Sequence, residues 1–177
     1  KIYSGRVSFL GKSLSKKLSK NNFKSLLTVY RLYKKFNFKD KEEILDEFKK
    51  LKIKVKKSFR VKCNREGNHE FKSVDIEKLI GIYLQKNGFK LDFKEPKTVI
   101  FIDIVEDFCL IGLLEKEDMQ KREYRVKLNP ETLNSTIAYS ALILSEYKKN
   151  DVLVDPNCRD GIIVVEGSLM KKGKVYG

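Results

Sequence analysis

The sequence predicts a mixed protein of the α/β and α+β classes that ends in the first βαβ unit of a Rossmann-type fold. Three patterns predict this class. Apolar and basic residues alternate over residues 51–65, and acidic residues open two segments with helical spacing. A strand, a loop, a helix and a second strand then follow one another over residues 152–176. Period-two alternation is typical of strands and acidic first turns are typical of helices, while the last pattern opens a βαβ nucleotide-binding fold.

Composition excludes several classes of protein for this chain. The chain has 177 residues, a formal net charge of +14 and 41% apolar residues, which excludes collagen-like chains and disorder over most of the length. No apolar run approaches the roughly 18 residues of a membrane span, so we expect no membrane partner. The three cysteines show no CxxC spacing, which indicates reduced thiols in the cytoplasm and neither a disulfide frame nor a metal site.

The positive charge is concentrated near the start of the chain. The net charge is +13 over residues 1–57, +1 over residues 58–127 and zero over residues 128–177. A concentrated excess favours a polyanionic partner, and nucleic acid is the first candidate. The alternative is a lysine-rich surface that is merely solvated.

The first fifty residues are expected to contain a strand-like run, a strand leading into a helix, and a clear helix. Residues 2–11 form the run, and residues 11–22 are either a loop or a short basic helix. Apolar residues over 23–36 have mixed spacing, which fits a strand running into a helix. Residues 40–50 form the clear helix, because their apolar residues share one face and acids occupy the first turn.

Residues 51–65 are predicted to form a strand with one apolar face and one cationic face. Apolar residues at 51, 53, 55, 59, 61 and 63 alternate with cations. Such a row of cations fits a phosphate backbone, and an exposed lysine-rich sheet face is the equally weighted alternative. His69, the only histidine, either touches the polyanion or faces solvent. The candidate nucleic-acid-binding residues are Lys57, Arg60, Lys62, Arg65, His69 and Lys72.

The middle of the chain is predicted to fold into a helix and three strands. Ser73 caps a helix over residues 74–84, and Gly88 follows its end. The strands are expected over residues 91–93, 99–105 and 108–113, and the last two form a hairpin.

The last third is predicted to hold a long helix and the βαβ unit. Pro130 starts the helix, which runs to Tyr147 and buries Ile137, Ala141, Leu142 and Leu144. Residues 152–154 form a wholly apolar strand of the kind found inside parallel sheets. A loop over 155–161, a helix over 162–169 and a strand over 174–176 follow.

Two stretches resemble the THUMP-domain RNA methyltransferases, in particular the archaeal tRNA guanine-N2 methyltransferases. Residues 58–81 are similar to the THUMP pattern of a basic "FRV" strand, a turn and a helix ending in Ile-Gly, and residues 91–96 resemble its "VDLxxP" segment. Residues 121–125 resemble the "KRxYR" linker of this family. Residues 155–166 are similar to its "DPxCGxGTIxIE" cofactor loop. The resemblance covers residues 40–177.

The resemblance implies a division into domains with different tasks. Residues 1–39 would be part of a ferredoxin-like domain, 40–115 a THUMP domain, 116–150 a linker with a helix, and 151–177 the start of a Rossmann-type methyltransferase domain. The first two would bind tRNA, and the last would bind S-adenosylmethionine to methylate a guanine amine. The family's catalytic "NPPY"-type segment does not occur in these residues, so we expect them to be part of a longer polypeptide.

The resemblance also implies the cofactor-binding residues, which are Asp155, Cys158, Gly161 and Glu166. Arg159 stands where the family has its first glycine, so it needs either an ordinary φ or local strain. The alternatives are an RNA-binding module with a degenerate cofactor site and a ribosomal RNA methyltransferase. For Arg122, Tyr124 and Arg125, contact with RNA or cofactor competes with an interdomain salt-bridge cluster, which we favour. No Ser–His–acid, paired-carboxylate or Walker pattern supports a hydrolase or an NTPase.

Overall fold

The computed structural model describes residues 2–3, 5–8, 10–11, 23–124 and 132–177, which fall into two compact units. The first unit comprises Lys1–Leu10 and Val29–Glu115, and the second comprises Gly11–Thr28 and Lys116–Gly177. The predictions made for residues 12–22, for Arg125 and for a helix start at Pro130 lie outside the described residues.

The first unit is built from strands and two helices. Its described elements are β1 (Ile2–Tyr3), β2 (Arg6–Val7), β3 (Val29–Asn37), α1 (Lys41–Lys50), β4 (Ser58–Glu66), α2 (Ser73–Lys86), β5 (Lys90–Leu91), β6 (Thr98–Val105) and β7 (Phe108–Lys116). A five-stranded sheet has the order β3-β7-β6-β4-β5, with β4 parallel to β5 and β6, and with β6 antiparallel to β7. The sheet is therefore mixed, and the predicted hairpin between β6 and β7 is confirmed.

The two helices bury one face of this sheet. Ile44 and Phe48 of α1 and Ile76 and Ile80 of α2 join the core cluster with strand residues Phe59, Val61, Ile100, Ile102, Ile104 and Ile111. The predicted helix over residues 40–50 is confirmed, since the Asp40 carboxylate accepts the Glu43 backbone N–H at 2.8 Å and so caps α1. Apolar spacing of three and four residues places the buried side chains of each helix on one stripe.

A buried carboxylate joins the short β1–β2 hairpin to the five-stranded sheet. Asp103 of β6 is 2% exposed. It accepts two bonds from the Arg6 guanidinium, at 2.8 and 3.0 Å, and further bonds from the Tyr30 hydroxyl and the Asn64 amide. The bond to Asp103 raises the pKa of Arg6 against the effect of burial. The residues expected to form one strand-like run therefore form a hairpin that Asp103 fixes to the sheet.

Two sequence predictions in the first unit are wrong in their element type. Over residues 23–36 no helix follows the strand, because β3 extends to Asn37 and pairs with β7 before α1 begins. Residues 52–56 are irregular and the strand begins only at Ser58, where β5 and β6 supply neighbours for pairing. The alternation of half-buried apolar residues and exposed lysines persists without the strand.

The second predicted helix of the first unit exists, but its start differs. Lys72, and not Ser73, is the N-cap of α2, because the Asp75 carboxylate accepts the Lys72 backbone N–H at 2.7 Å. The helix continues to Lys86, and Gly88 follows with φ +85°.

The second unit contains the predicted βαβ unit. Its described elements are α3 (Ser135–Leu144), β8 (Val152–Val154), α4 (Ile162–Leu169) and β9 (Lys174–Tyr176), and β8 pairs with β9 in parallel. The parallel pair with a helix between its strands confirms the Rossmann-type opening. Val152 and Val154 are about 60% exposed, because β9 is the only described strand that pairs with β8.

The helix α3 buries a face that shares only Leu142 with the one predicted. Its N-cap is Asn134, and it buries Ser135, Thr136, Ala138 and Leu142, whereas Ile137 and Leu144 are exposed and so is Ala141. The inward serine is satisfied, because the Ser135 hydroxyl donates to the Gln120 carbonyl at 2.6 Å. Ser135 thus occupies a buried position that hydrophobic spacing alone would assign to an apolar residue.

Candidate cofactor loop and nucleic-acid surface

The loop between β8 and α4 is a tight turn held by backbone bonds. Asp155 donates its backbone N–H to the Tyr176 carbonyl at 2.9 Å, and its carboxylate accepts the Asn157 N–H at 3.2 Å. The Gly161 N–H donates to the Cys158 carbonyl at 2.6 Å. These bonds place the half-buried Asp155 side chain at the carboxyl end of β8, where open α/β sheets bind ligands.

Two residues of this loop have left-handed backbone angles. Gly161 is the N-cap of α4 with φ +70°, a conformation that glycine adopts without steric cost. Arg159 has φ +41°, so the arginine takes a glycine-type backbone angle. Of the two possibilities that the sequence left open, an ordinary φ and local strain, the structure shows the strained one.

Cys158 lies in a closely packed part of the loop. A Cβ built on Gly177 would lie 2.6 Å from the Cys158 sulfur and 2.5 Å from Val164, so the chain after β9 passes directly over this thiol. The thiol is half-buried and free. Cys158 therefore packs against the chain at Gly177.

Glu166 lies inside the second unit and has no exposed surface. Its carboxylate accepts bonds from Arg122 Nε at 2.6 Å and the Tyr124 hydroxyl at 2.8 Å, and Lys24 Nζ lies 3.4 Å away. Burial alone raises the pKa of this carboxyl, but the bonds from Arg122 and Tyr124 outweigh burial and hold the pKa below its ordinary value. The structure thus places Glu166, which the resemblance assigns to the cofactor-binding residues, in a buried cluster that braces α4.

Arg122 uses all three guanidinium nitrogens in this cluster. Besides Glu166, it donates to the Met119 carbonyl at 2.5 Å and to the Lys24 carbonyl at 2.8 Å. The salt-bridge cluster that we favoured for Arg122 and Tyr124 is therefore present, although it lies within one unit. No sequence pattern indicated a role for Lys24 here, because 142 positions separate it from Glu166.

The loop has the chemistry that an amino-acid-bearing cofactor requires. The Asp155 carboxylate suits a cationic amino group, and the first-turn N–H groups of α4 suit a carboxylate. Gly161 leaves room on the loop, since only the Cys158 sulfur lies within 4 Å of a Cβ built there, at 3.9 Å. The residues present therefore fit S-adenosylmethionine. The described residues contain no cluster of His, Cys, Asp or Glu that would hold a metal ion.

The six candidate nucleic-acid-binding residues do not form one row. Arg60 and Lys62 alternate with the core residues Phe59 and Val61, so they lie on the sheet face opposite the helices. Lys57 is exposed just before β4 begins. Lys72 is exposed at the start of α2, next to the opposite end of β4.

Arg65 and His69 brace the turn after β4. Arg65 Nη1 donates to the Gly67 carbonyl at 2.8 Å and contacts His69 Nδ1 at 2.9 Å, while His69 Nε2 lies 2.6 Å from the Glu106 carbonyl. Because arginine only donates, Nδ1 accepts and Nε2 carries the proton. The imidazole stacks on Phe38 with ring centroids 5.6 Å apart. Both ring nitrogens are thus engaged within the protein.

Three lysines near the nucleic-acid candidates were absent from the prediction. Lys90, Lys94 and Lys97 are exposed around the start of β5 and β6. Their spacing of three and four residues around Pro96 was the available signal, but no periodic pattern in the sequence linked them to Lys57. Strand pairing supplies the link, because the Lys90 N–H donates to the Lys57 carbonyl and the Lys97 N–H donates to the Ser58 hydroxyl.

Two protein families match this chain, one in its first part and the other in its last part. Residues 31–114 match the family described as THUMP domain, and residues 122–176 match the family described as RMKL-like, methyltransferase domain. No described helix has both the length and the apolar character that a membrane crossing needs.

Two curated relatives are archaeal enzymes named tRNA (guanine(6)-N2)-methyltransferase. The one from Methanocaldococcus jannaschii is 35% identical over 129 residues, which cover 68% of this chain and 34% of the relative. The one from Archaeoglobus fulgidus is 32% identical over 123 residues, covering 64% and 31%. The chain thus spans about a third of the length of these relatives.

Solved structures share the fold at low sequence identity. TrmN from Thermus thermophilus superposes with a TM-score of 0.66 at 20% identity, covering 96% of this chain and 52% of TrmN. SMU.472, a methyltransferase of assumed function solved in complex with SAH, gives 0.60 at 16% identity, covering 84% and 44%. At these identities the likeness supports the fold alone.

Proposed function

The chain belongs to the proteins in which a THUMP domain is followed by an RMKL-like methyltransferase domain, and on this premise we propose that it is part of an S-adenosylmethionine-dependent tRNA guanine-N2 methyltransferase. The order of the two domains is the observation that carries the proposal. Two relatives above 30% identity are named for this reaction on tRNA, and their matches cover 68% and 64% of this chain.

Residues of the second unit have separate tasks in this proposal. Asp155 holds the amino-acid end of the cofactor, and Gly161 lets the backbone approach it closely. Glu166, Arg122 and Tyr124 keep α4 in place behind the loop. S-adenosylmethionine supplies an electrophilic methyl group when bound, and the neighbour solved with SAH has the same fold.

The domain boundaries and the location belong to the same proposal. We place part of a ferredoxin-like domain before residue 40, the THUMP domain over 40–115, the linker over 116–150 and the start of the methyltransferase domain from 151. A cytoplasmic location is supported by the free thiols of Cys63, Cys109 and Cys158 and by the tRNA named as substrate of the relatives.

Methyl transfer to tRNA tests the function directly. The protein, expressed with any sequence that flanks it in its gene, is incubated with methyl-labelled S-adenosylmethionine and unmodified tRNA transcripts, and the product nucleosides are separated. We expect label in N2-methylguanosine. Label in another nucleoside, or none in tRNA while the cofactor is bound, contradicts the proposal.

A non-enzymatic RNA-binding module is the second candidate, and the strained Arg159 favours it. Calorimetry with S-adenosylmethionine separates the two candidates. We expect the unmodified protein to bind the cofactor and Asp155→Ala to weaken binding severely, because the variant removes the carboxylate for the cationic amino group. Absence of binding by the unmodified protein would favour the module.

A further inference from the structure

One end of the five-stranded sheet carries six exposed lysines. Strands β4, β5 and β6 all begin there, and strand pairing places Lys90 beside Ser58 and Thr98 beside Phe59. Neighbouring strands lie about 4.8 Å apart, so the residues that precede these strand starts are close together. We call this group the lysine edge; its members are Lys54, Lys56, Lys57, Lys90, Lys94 and Lys97.

Several basic residues of the unit pair with acids, and within the described part of the chain the lysines of the lysine edge do not. Lys34, Lys49 and Lys50 form ion pairs with acids of α1, and Arg31 pairs with Glu115 at 2.7 Å. Among the described residues, no carboxylate lies within 4.0 Å of an amino group of the lysine edge. Asp92 and Glu95 are the acids in this stretch, so the six lysines keep a clear positive excess.

An exposed aromatic ring lies within the lysine edge. Phe93 is 64% exposed, and the Arg60 guanidinium lies 6.0 Å from its ring centroid. Its turn is rigid, because Asp92 donates its N–H to the Phe59 carbonyl at 2.9 Å and its carboxylate accepts the Lys94 and Glu95 N–H groups at 3.0 Å. The bonds from these two backbone groups lower the pKa of Asp92. The fold therefore presents a large apolar ring to solvent on a fixed support.

The opposite end of β4 lacks this character. Arg65 and His69 are engaged within the turn there, and this end of the sheet carries four acids, Glu66, Glu70, Glu106 and Asp107, beside the exposed Lys72. A polyanion is therefore favoured at the lysine edge and disfavoured at the far end of the strand.

We propose that the lysine edge binds the phosphates on either side of an unpaired nucleotide whose base stacks on Phe93. Lysine contacts to phosphate and stacking of a base on an aromatic side chain are the two components of single-strand recognition. Arg60 holds the ring from its sheet side, and the exposed face of the ring receives the base. This assignment rests on the proposed function, because it takes the nucleic acid to be the tRNA substrate.

Two pairs of variants separate this surface from general attraction to RNA. Lys90→Gln with Lys97→Gln removes two charges from the lysine edge, and Lys39→Gln with Lys78→Gln removes two exposed lysines elsewhere on the unit. Binding of a tRNA transcript is measured by filter retention over a range of salt concentrations. We expect the first pair to reduce the slope of log affinity against log salt by about 1.5, since each lost phosphate contact contributes roughly 0.7 to 0.9. The second pair should leave the slope unchanged.

Phe93 is tested by a change of a different kind. Phe93→Ala should lower the affinity about five- to hundredfold with no change in slope, because it removes stacking and no charge. Phe93→Tyr keeps the ring and should restore binding. The loss should be confined to RNA duplexes that carry a single-stranded extension and be absent for the same duplex with blunt ends.

The outcomes distinguish this assignment from the function on which it rests. Equal slope losses from both lysine pairs, or equal effects of Phe93→Ala on both duplexes, overturn the assignment and leave tRNA binding intact. Absence of tRNA binding by the unmodified protein overturns the proposed function and this assignment together.

Discussion

Arg159 combines a long charged side chain with a backbone angle that favours glycine. Its φ of +41° lies in the left-handed region, and Gly161 two residues later has φ +70°. Left-handed angles cost an L-residue roughly 1–2 kcal/mol, and strain of this kind concentrates at functional loops. The candidate cofactor loop therefore keeps the backbone path of a glycine-rich turn, although Arg159 stands at a position where such a turn would have glycine.

Replacing Arg159 measures this strain. Arg159→Gly should raise the free energy of unfolding relative to Arg159→Ala by about 1 kcal/mol, because both variants lose the side chain and only glycine accepts the angle without cost. Urea unfolding followed by circular dichroism gives the difference. Equal stabilities for the two variants would show that the angle carries no strain.

Glu166 is the residue on which the brace behind α4 depends. Glu166→Gln leaves the Arg122 guanidinium, whose side chain is 9% exposed, without its charge partner. We expect a loss of about 3 kcal/mol in the free energy of unfolding, as for other buried pairs broken on one side. The matched control is Glu146→Gln, whose pair with Lys148 is exposed and should contribute less than about 1 kcal/mol.

The same pair has a defined pH dependence. The folded-state pKa of Glu166 is lowered, so the ionised carboxylate contributes stability above its unfolded pKa, and this contribution is lost as the pH falls through the folded pKa. The gap in unfolding free energy between the unmodified protein and Glu166→Gln should therefore be full at neutral pH and narrow below about pH 4.5. If the difference in unfolding free energy stayed constant at acidic pH, the ionised carboxylate of Glu166 would not be the source of the stability.

At the scale of elements, β3 forms one edge of the five-stranded sheet and lies close to β7. A Cβ built on Gly112 of β7 would lie 2.6 Å from the Arg31 carbonyl oxygen and 2.7 Å from the Tyr30 ring. The Arg31 carbonyl belongs to the backbone, so it cannot move away from an added Cβ as the end of a flexible side chain could. The pairing of β3 with the sheet therefore requires glycine at this position.

Gly112→Ala tests that requirement. We expect a loss of about 1–3 kcal/mol in the free energy of unfolding, because the added methyl group separates β3 from β7. Gly81→Ala in α2 is the control; no atom lies within 4 Å of a Cβ there, and alanine should stabilise the helix by roughly 0.5–1 kcal/mol. Equal effects of the two substitutions would mean that β3 does not need the close contact.

Sequence patterns predicted those elements whose local signals agree with their tertiary partners. The helix α1 has an acidic first turn and an N-cap, and the βαβ unit has its strands and helix in the expected order. Residues 52–56 alternate perfectly yet form no strand, since strand pairing requires a neighbour that only the fold supplies. The buried face of α3 was wrong because the bond from Ser135 to a distant carbonyl is invisible in hydrophobic spacing.

The residues of the candidate sites were also predictable where local sequence determines their position, and not where contacts between distant segments determine it. The positions of Asp155 and Gly161 in the turn between β8 and α4 could be expected from the sequence, because neighbouring residues along the chain form the turn. The internal place of Glu166 and the grouping of Lys57 with Lys90 depend on contacts between distant segments. No local pattern encodes such contacts.

At the scale of the whole molecule, the described residues carry most of their positive excess in the first unit. The described residues of the first unit include 21 basic and 15 acidic side chains, and those of the second include 10 and 8. Over these residues the first unit therefore has a net charge of +6 and the second a net charge of +2. This difference favours the first unit as the one that attracts a polyanion.

Binding of tRNA at low ionic strength is the measurement that tests the central claim most directly. The claim is that this basic chain binds structured RNA so that a methyl donor in the adjoining domain can act on it. We predict saturable binding of a tRNA transcript, with log affinity falling linearly as log salt rises, because neutralised phosphates release counterions. Failure of the protein, with its flanking sequence, to bind tRNA at low salt would contradict the account.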